Sequence, residues 1–155
     1  FEVEKPNLKT LNCIGNSESV MQYKGFEQTD SEPYNVFYYV GENSLFVRYL
    51  GKLALLMQKS VDTWSPLVDY AKGSITDEEI TYISDKPEKD LLATADEEQL
   101  GTKPTKRYEK LVINRYTGSY YHHFILNWQM GDNFMSKESS IRGECTLVKH
   151  KDKKF

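Results

Sequence analysis

The run from Arg107 to Met130, RYEKLVINRYTGSYYHHFILNWQM, constrains the fold more than any other part of the chain. β-branched and aromatic residues crowd both sides of Tyr116-Thr117-Gly118, so the run reads as strand, turn, strand. Gly118 suits the φ > 0 position that a tight hairpin turn needs. Asn114 and Thr117 can bond the local backbone and fix that turn. Successive strand side chains point to opposite faces, which sorts the second strand into two sets. Tyr120, His122, Phe124, Leu126 and Trp128 form the more apolar set and should face the core. Tyr121, His123, Ile125, Asn127 and Gln129 should face outward. The adjacent His122 and His123 therefore cannot ligate one metal while the segment stays extended. His122 is expected to be a buried structural imidazole hydrogen-bonded to a neighbour, and His123 a surface residue.

The rest of the chain adds strands around this hairpin. NLKTLNCIGN alternates and reads as a strand ending at Gly15-Asn16, with SVMQYKGF as the next. EQTDSEP is polar, contains Pro33 and reads as a loop. YNVFYYVGENSLFVRYLG reads as a hairpin about the loop GEN. Lys52 to Lys72 is ambiguous between a short helix and a strand plus turn. Leu53, Leu56, Met57, Val61 and Trp64 recur near helical spacing, but Pro66 would break a helix. Strand is favoured from Glu79 to Ser84. From about residue 85 to 106 the sequence is charged and bounded by Pro87 and Pro104, which predicts a solvated loop excursion or a short helix around Leu91 to Leu100. GDNFMSKESS reads as a loop and IRGECTLVKH as the last strand. Eleven Tyr residues tilt the balance further toward strands. The expectation is a single all-β domain over 1–155, a small antiparallel barrel or meander, lipocalin-like or a sandwich, with one short helix at most. A chain of this length buries ~70% of its unfolded surface and needs no metal to fold.

Several function classes are disfavoured. The net charge of −3 lacks the basic face that nucleic acid requires. The basic tail KHKDKKF is read as solvated, with His150 exposed. The longest apolar run, LALLM, falls far short of the ~18 residues of a membrane span. Nucleophile-elbow, P-loop, dinucleotide, zinc-protease and EF-hand patterns are missing. Three histidines without ligand spacing make a metal site a poor expectation, and no cofactor is expected. The two DEE runs read as solvated turns. Arg115 is expected to pair with a carboxylate on the adjacent strand or to bind an anion. Cys13 and Cys145, near opposite ends, leave open one disulfide or two buried thiols. The chain starts at Phe1 rather than Met, as a processed or trimmed form would.

LNCIG, INRYTG and RGEC occur here in that order. In this the chain resembles a loose group of small, uncharacterised exported bacterial proteins with an N-terminal L-x-C-x-G, an I-[ND]-R-x-T-G hairpin, a C-terminal G-x-C strand and a basic, Phe-ended tail. The likeness is carried by Leu11, Cys13, Gly15, Ile113, Asn114, Arg115, Thr117, Gly118, Gly143 and Cys145. Phe26 to Arg107 matches no motif of the group. The resemblance implies export to a periplasmic or extracellular location after signal removal. It also implies a Cys13–Cys145 bridge, which would contribute about 5 kcal/mol in the chain-entropy model. It implies no activity.

Three functional readings compete. The leading one is a noncatalytic exported binding module for a small ligand or protein partner. It would use Tyr120, His122, Phe124, Trp128 and Arg115, with an apolar ligand in the barrel mouth. The second is a structural subunit of an extracellular or surface assembly such as a fibre or virion, built as a homo-oligomer through strand edges. The third is a small hydrolase with His122 or His123 as base and a carboxylate from ITDEE.

Overall fold

The computed structural model describes residues 8–67 and 70–149. The alternating segments form β1 (Lys9–Tyr23), β2 (Phe26–Val40), β3 (Ser44–Tyr49), β4 (Lys52–Ser60), β5 (Thr63–Pro66), β6 (Ala71–Ile75), β7 (Glu79–Lys86), β8 (Lys103–Asn114), β9 (Ser119–Met130) and β10 (Asn133–Leu147). A 3-10 turn, Glu88–Asp90, and a short helix, α1 (Ala95–Gln99), interrupt them.

All ten strands lie in one antiparallel sheet of order β5-β4-β3-β2-β1-β10-β9-β8-β7-β6. The first and last strands pair at its centre, and hairpins spread outward from both. The two edge strands, β5 and β6, are joined by residues 67–70. The sheet curls into a nearly closed barrel. Bonds from Leu67 N to Leu56 O and from Asp85 N to Tyr70 O continue the β4–β5 and β6–β7 pairings beyond the strand ends.

The β1–β10 pairing sets the register of everything else. Cys13 stands opposite Cys145, and the two form a disulfide. Gly15 stands opposite Gly143. A Cβ on Gly15 would collide with the Arg142 carbonyl, and one on Gly143 with that of Ile14. Glycine is thus required at this pair, where the facing backbone leaves no room for a Cβ.

From this seam the period-2 rule assigns the inner face. Leu45, Met57, Ile80, Leu111, Ile113 and Ile141 are essentially inaccessible to solvent. Each such side chain contributes roughly 1.5–3 kcal/mol of burial. Tyr38 and Tyr120, each 2% exposed, meet across the middle with their hydroxyls 3.2 Å apart. Together these residues plug the barrel at mid-height.

Several segments differ from the sequence reading. β1 runs straight through Gly15-Asn16 and turns at Lys24-Gly25, where both residues take positive φ. EQTDSEP is not a loop but part of β2, paired throughout with β1. Backbone pairing to a neighbour outweighs polar composition there. β3 reaches only Tyr38 to Val40 of β2, so Pro33 sits on an edge, where a missing N–H is tolerated. GDNFMSKESS likewise becomes strand from Asn133 onward, between β9 and β1. Lys52 to Lys72 resolves to strands β4 and β5 and the start of β6, with no helix among its described residues. The excursion near 85–106 contains the end of β7, α1 and the start of β8. The basic tail from His150 lies outside the described residues.

Candidate functional site

The mid-barrel plug leaves a cup at each end. One lies toward the disulfide. The other lies toward the β1–β2 and β9–β10 turns, and it gathers the more reactive side chains.

β8 and β9 build its floor. Their register places His122 beside Leu111, Phe124 beside Glu109 and Leu126 beside Arg107. By alternation all of these face inward. Tyr34 from β2 and Tyr49 from β3 form the opposite wall, and Ser84 of β7 stands beside Glu109. The cavity they enclose is about 430 Å³, within the range of small-molecule sites.

His122 is 9% exposed, and neither ring nitrogen makes a hydrogen bond within the protein. Its Nε2 lies 3.4 Å from Glu109 Oε1, close enough for charge attraction if the ring is protonated. The expected structural hydrogen bond to a neighbour is therefore not found. The ring is instead held by aromatic packing, with centroids 6.2 Å from Tyr120 and 5.7 Å from Phe124. His123 faces outward, 2.7 Å from Glu138 through Nε2 and edge-on to Tyr108.

Glu109 organises the local electrostatics. Tyr34, Tyr38, Tyr82 and Tyr120 are all pushed above the usual phenol range, in each case first by burial. The Glu109 charge adds to every one of these shifts. All four hydroxyls therefore stay protonated at neutral pH and serve as neutral donors or acceptors.

A latch borders this cup. Thr94 caps α1 through a reciprocal box: Glu97 N donates to Thr94 Oγ1 and Thr94 N donates to Glu97 Oε1. The same carboxylate accepts from Arg107 Nη2 and from Trp128 Nε1, each at 2.6 Å. Thr102 Oγ1 donates to the Glu97 carbonyl. Burial works against the Glu97 carboxylate. The Thr94 amide, Arg107 and Trp128 outweigh it and hold the carboxyl below its usual range.

The residues singled out from sequence are thus dispersed. His122 and Phe124 line this cup. Tyr120 lies in the plug beneath it. Trp128 holds the latch. Arg115 lies at the opposite mouth, where its Nη1 donates to Thr76 O rather than to a carboxylate. The carboxylates beside the histidines are Glu109 and Glu138, not those of ITDEE, which sits beyond the plug at the Arg115 end. Glu109, Tyr34, Tyr49, Ser84 and Arg107 were missed. Extending the alternation from Ile113 back through Leu111 would have put Glu109 and Arg107 on the inner face. Among the described residues, no three His, Cys, Asp or Glu side chains are grouped to hold a metal ion, and no helix is long and apolar enough to cross a membrane.

No family model matches the chain, and none of the curated proteins does. Among solved structures it is similar to Ail, the attachment invasion locus protein of Yersinia pestis. The identity is 9%, the match covers 90% of this chain and 99% of that one, and the TM-score is 0.39. It is also similar to the ywiB protein of Bacillus subtilis at 12% identity, covering 88% and 94% respectively, with a TM-score of 0.30.

Proposed function

We propose that the protein is a noncatalytic, exported module that binds a small amphipathic ligand in the cup around His122. One observation carries this reading: a nine-tenths-buried imidazole with no hydrogen bond stands on the floor of an open 430 Å³ cavity. Both His122 nitrogens lack a hydrogen bond and are shut off from solvent, which costs roughly 1–3 kcal/mol. A ligand that draws the ring toward the cavity and bonds it recovers that cost. Phe124, Leu126, Tyr34 and Tyr49 offer an apolar and aromatic surface for the ligand body. The Glu109 carboxylate oxygens accept hydrogen bonds, so the ligand should carry an N–H or O–H donor.

Catalysis is the weaker reading. A histidine base is normally oriented by a second bond to its far nitrogen, and His122 Nδ1 has none. Edge-to-edge assembly is disfavoured as well. The long free edge of β2 carries Glu27, Asp30, Glu32 and Pro33, residues that guard an edge against strand addition. Export is supported by the Cys13–Cys145 bridge, since disulfides persist in oxidising compartments.

The test uses N-phenyl-1-naphthylamine, a neutral aromatic amine whose emission rises on burial. It should bind, and His122→Leu and Glu109→Gln should each weaken it about tenfold, as loss of a buried polar contact does. His123→Ala should leave binding unchanged. Absence of binding, or binding indifferent to both cup substitutions with native circular dichroism retained, would overturn the assignment.

A further inference from the structure

The cup at the disulfide end has a different chemistry. Its floor is the upper surface of the plug, Ile80 and Ile113, with Val40 beside them. Leu11 and Leu147, cross-strand neighbours in the β1–β10 pairing, form one wall. Leu147 is 53% exposed, so the apolar surface is open to solvent. The cavity is about 300 Å³.

The charged residues that line it, among those described, are Lys9 and Arg115, both cations. The ion pairs among the described residues are Arg107–Glu97, His122–Glu109 and His123–Glu138, so neither cation has a carboxylate partner among those residues. Arg115 is nonetheless fixed in place. Its backbone N donates to Glu78 O and its Nη1 to Thr76 O. Asn114 Oδ1 accepts from Tyr116 N and Thr117 N and so pins the turn that carries Arg115. The remaining guanidinium donors are available to a ligand. Lys9 and Arg115 also border an adjoining outer depression together with Glu42 and Asp77, but neither acid lines the cup or pairs with either cation.

We propose that this cup is a second ligand site, independent of the His122 cup, and that it takes an anionic amphiphile. A single carboxylate head would sit against Arg115 and Lys9, and an alkyl chain would cover Leu11, Leu147 and the isoleucine floor. Apolar depth with two cations at the rim that pair with no carboxylate among the described residues selects this combination. A neutral chain forgoes the charge-assisted bonds, and a cationic one meets like charge. The Tyr38–Tyr120 plug separates the two cups, so occupancy of one should not displace a ligand from the other.

Decanoate, decanol and decyltrimethylammonium, each below its micelle-forming concentration, separate the contributions by calorimetric titration of the full chain. Decanoate should bind, decanol about tenfold more weakly for want of the charge-assisted bonds, and the cationic chain more weakly still. Arg115→Gln should reduce decanoate affinity about tenfold by the same loss without changing N-phenyl-1-naphthylamine affinity. Leu147→Asp, at an exposed position that tolerates charge, should also reduce it. Equal binding of the anionic and cationic chains would overturn the proposal. So would decanoate binding unmoved by both substitutions, competitive displacement of the naphthylamine by decanoate, or no decanoate binding at all.

Discussion

Glu97→Ala should loosen the α1 segment and lower stability by about 2–4 kcal/mol. The figure follows from what one carboxylate does. Its bond with the Trp128 indole is charge-assisted, a type contributing roughly 1.5–3 kcal/mol. The Arg107 pair is discounted to about 1 kcal/mol or less because Arg107 is 37% exposed. The capping-box bond to Thr94 N adds about 0.5–1 kcal/mol. These share one group and do not simply add. Urea unfolding at neutral pH measures the loss, and the Trp128 indole N–H resonance reports the broken bond directly. Glu97→Gln keeps one acceptor oxygen and should lose about half as much. Because the folded carboxyl is held below its unfolded value of 4.5, this stabilisation is fully present above that value. It disappears as pH falls through the folded value. The Ala variant should therefore lack this part of the wild-type acid sensitivity. A loss under about 0.5 kcal/mol, the scatter of ordinary surface substitutions, with an unmoved indole resonance would refute the latch.

Other outcomes follow from the same geometry. Reducing Cys13–Cys145, which closes a separation of 132 residues, should lower unfolding free energy by about 5 kcal/mol in the chain-entropy model, read as a shift in denaturant midpoint. Leu50 takes φ 50 while 85% exposed, ahead of Gly51. Leu50→Asn suits that hairpin turn and should raise stability by about 0.5–1 kcal/mol, detectable as a higher melting temperature. The raised tyrosines Tyr34, Tyr38, Tyr82 and Tyr120 make alkaline unfolding steep. Stability should be level below the unfolded phenol value of 10.0 and should fall as pH rises above it, because the unfolded chain ionises first. Tyr38→Phe should flatten that decline in a pH-stability profile.

Much of the barrel was legible because alternation is a strong local signal. The β8–β9 hairpin, the turn at Gly118 and the opposed faces of His122 and His123 all follow from period 2 in one segment. The lower halves of β2 and β10 were not legible. Their residues, such as Glu27, Asp30 and Ser136, have weak strand preference, and they are extended because long-range pairing with β1 and β9 satisfies their backbones. Lys52 to Lys72 misled for the opposite reason: Leu53, Leu56 and Met57 sit at helical spacing by coincidence, and only tertiary pairing decides. The candidate site needs residues from β2, β3, β7, β8 and β9 brought to one end of a barrel. A sequence shows that His122 points inward, but not that Glu109, Tyr34 and Tyr49 meet it. Arg115 and His122 look equally available in the sequence, yet the plug puts them in separate cups.

Ligand contact with His122 is read most directly from its ring-nitrogen NMR spectrum, with and without N-phenyl-1-naphthylamine, in protein labelled at histidine nitrogen. On binding, the His122 signal should shift while that of His123, beside Glu138, stays unmoved. A binding isotherm accompanied by an unchanged His122 signal would place the ligand elsewhere and contradict the assignment of this cup.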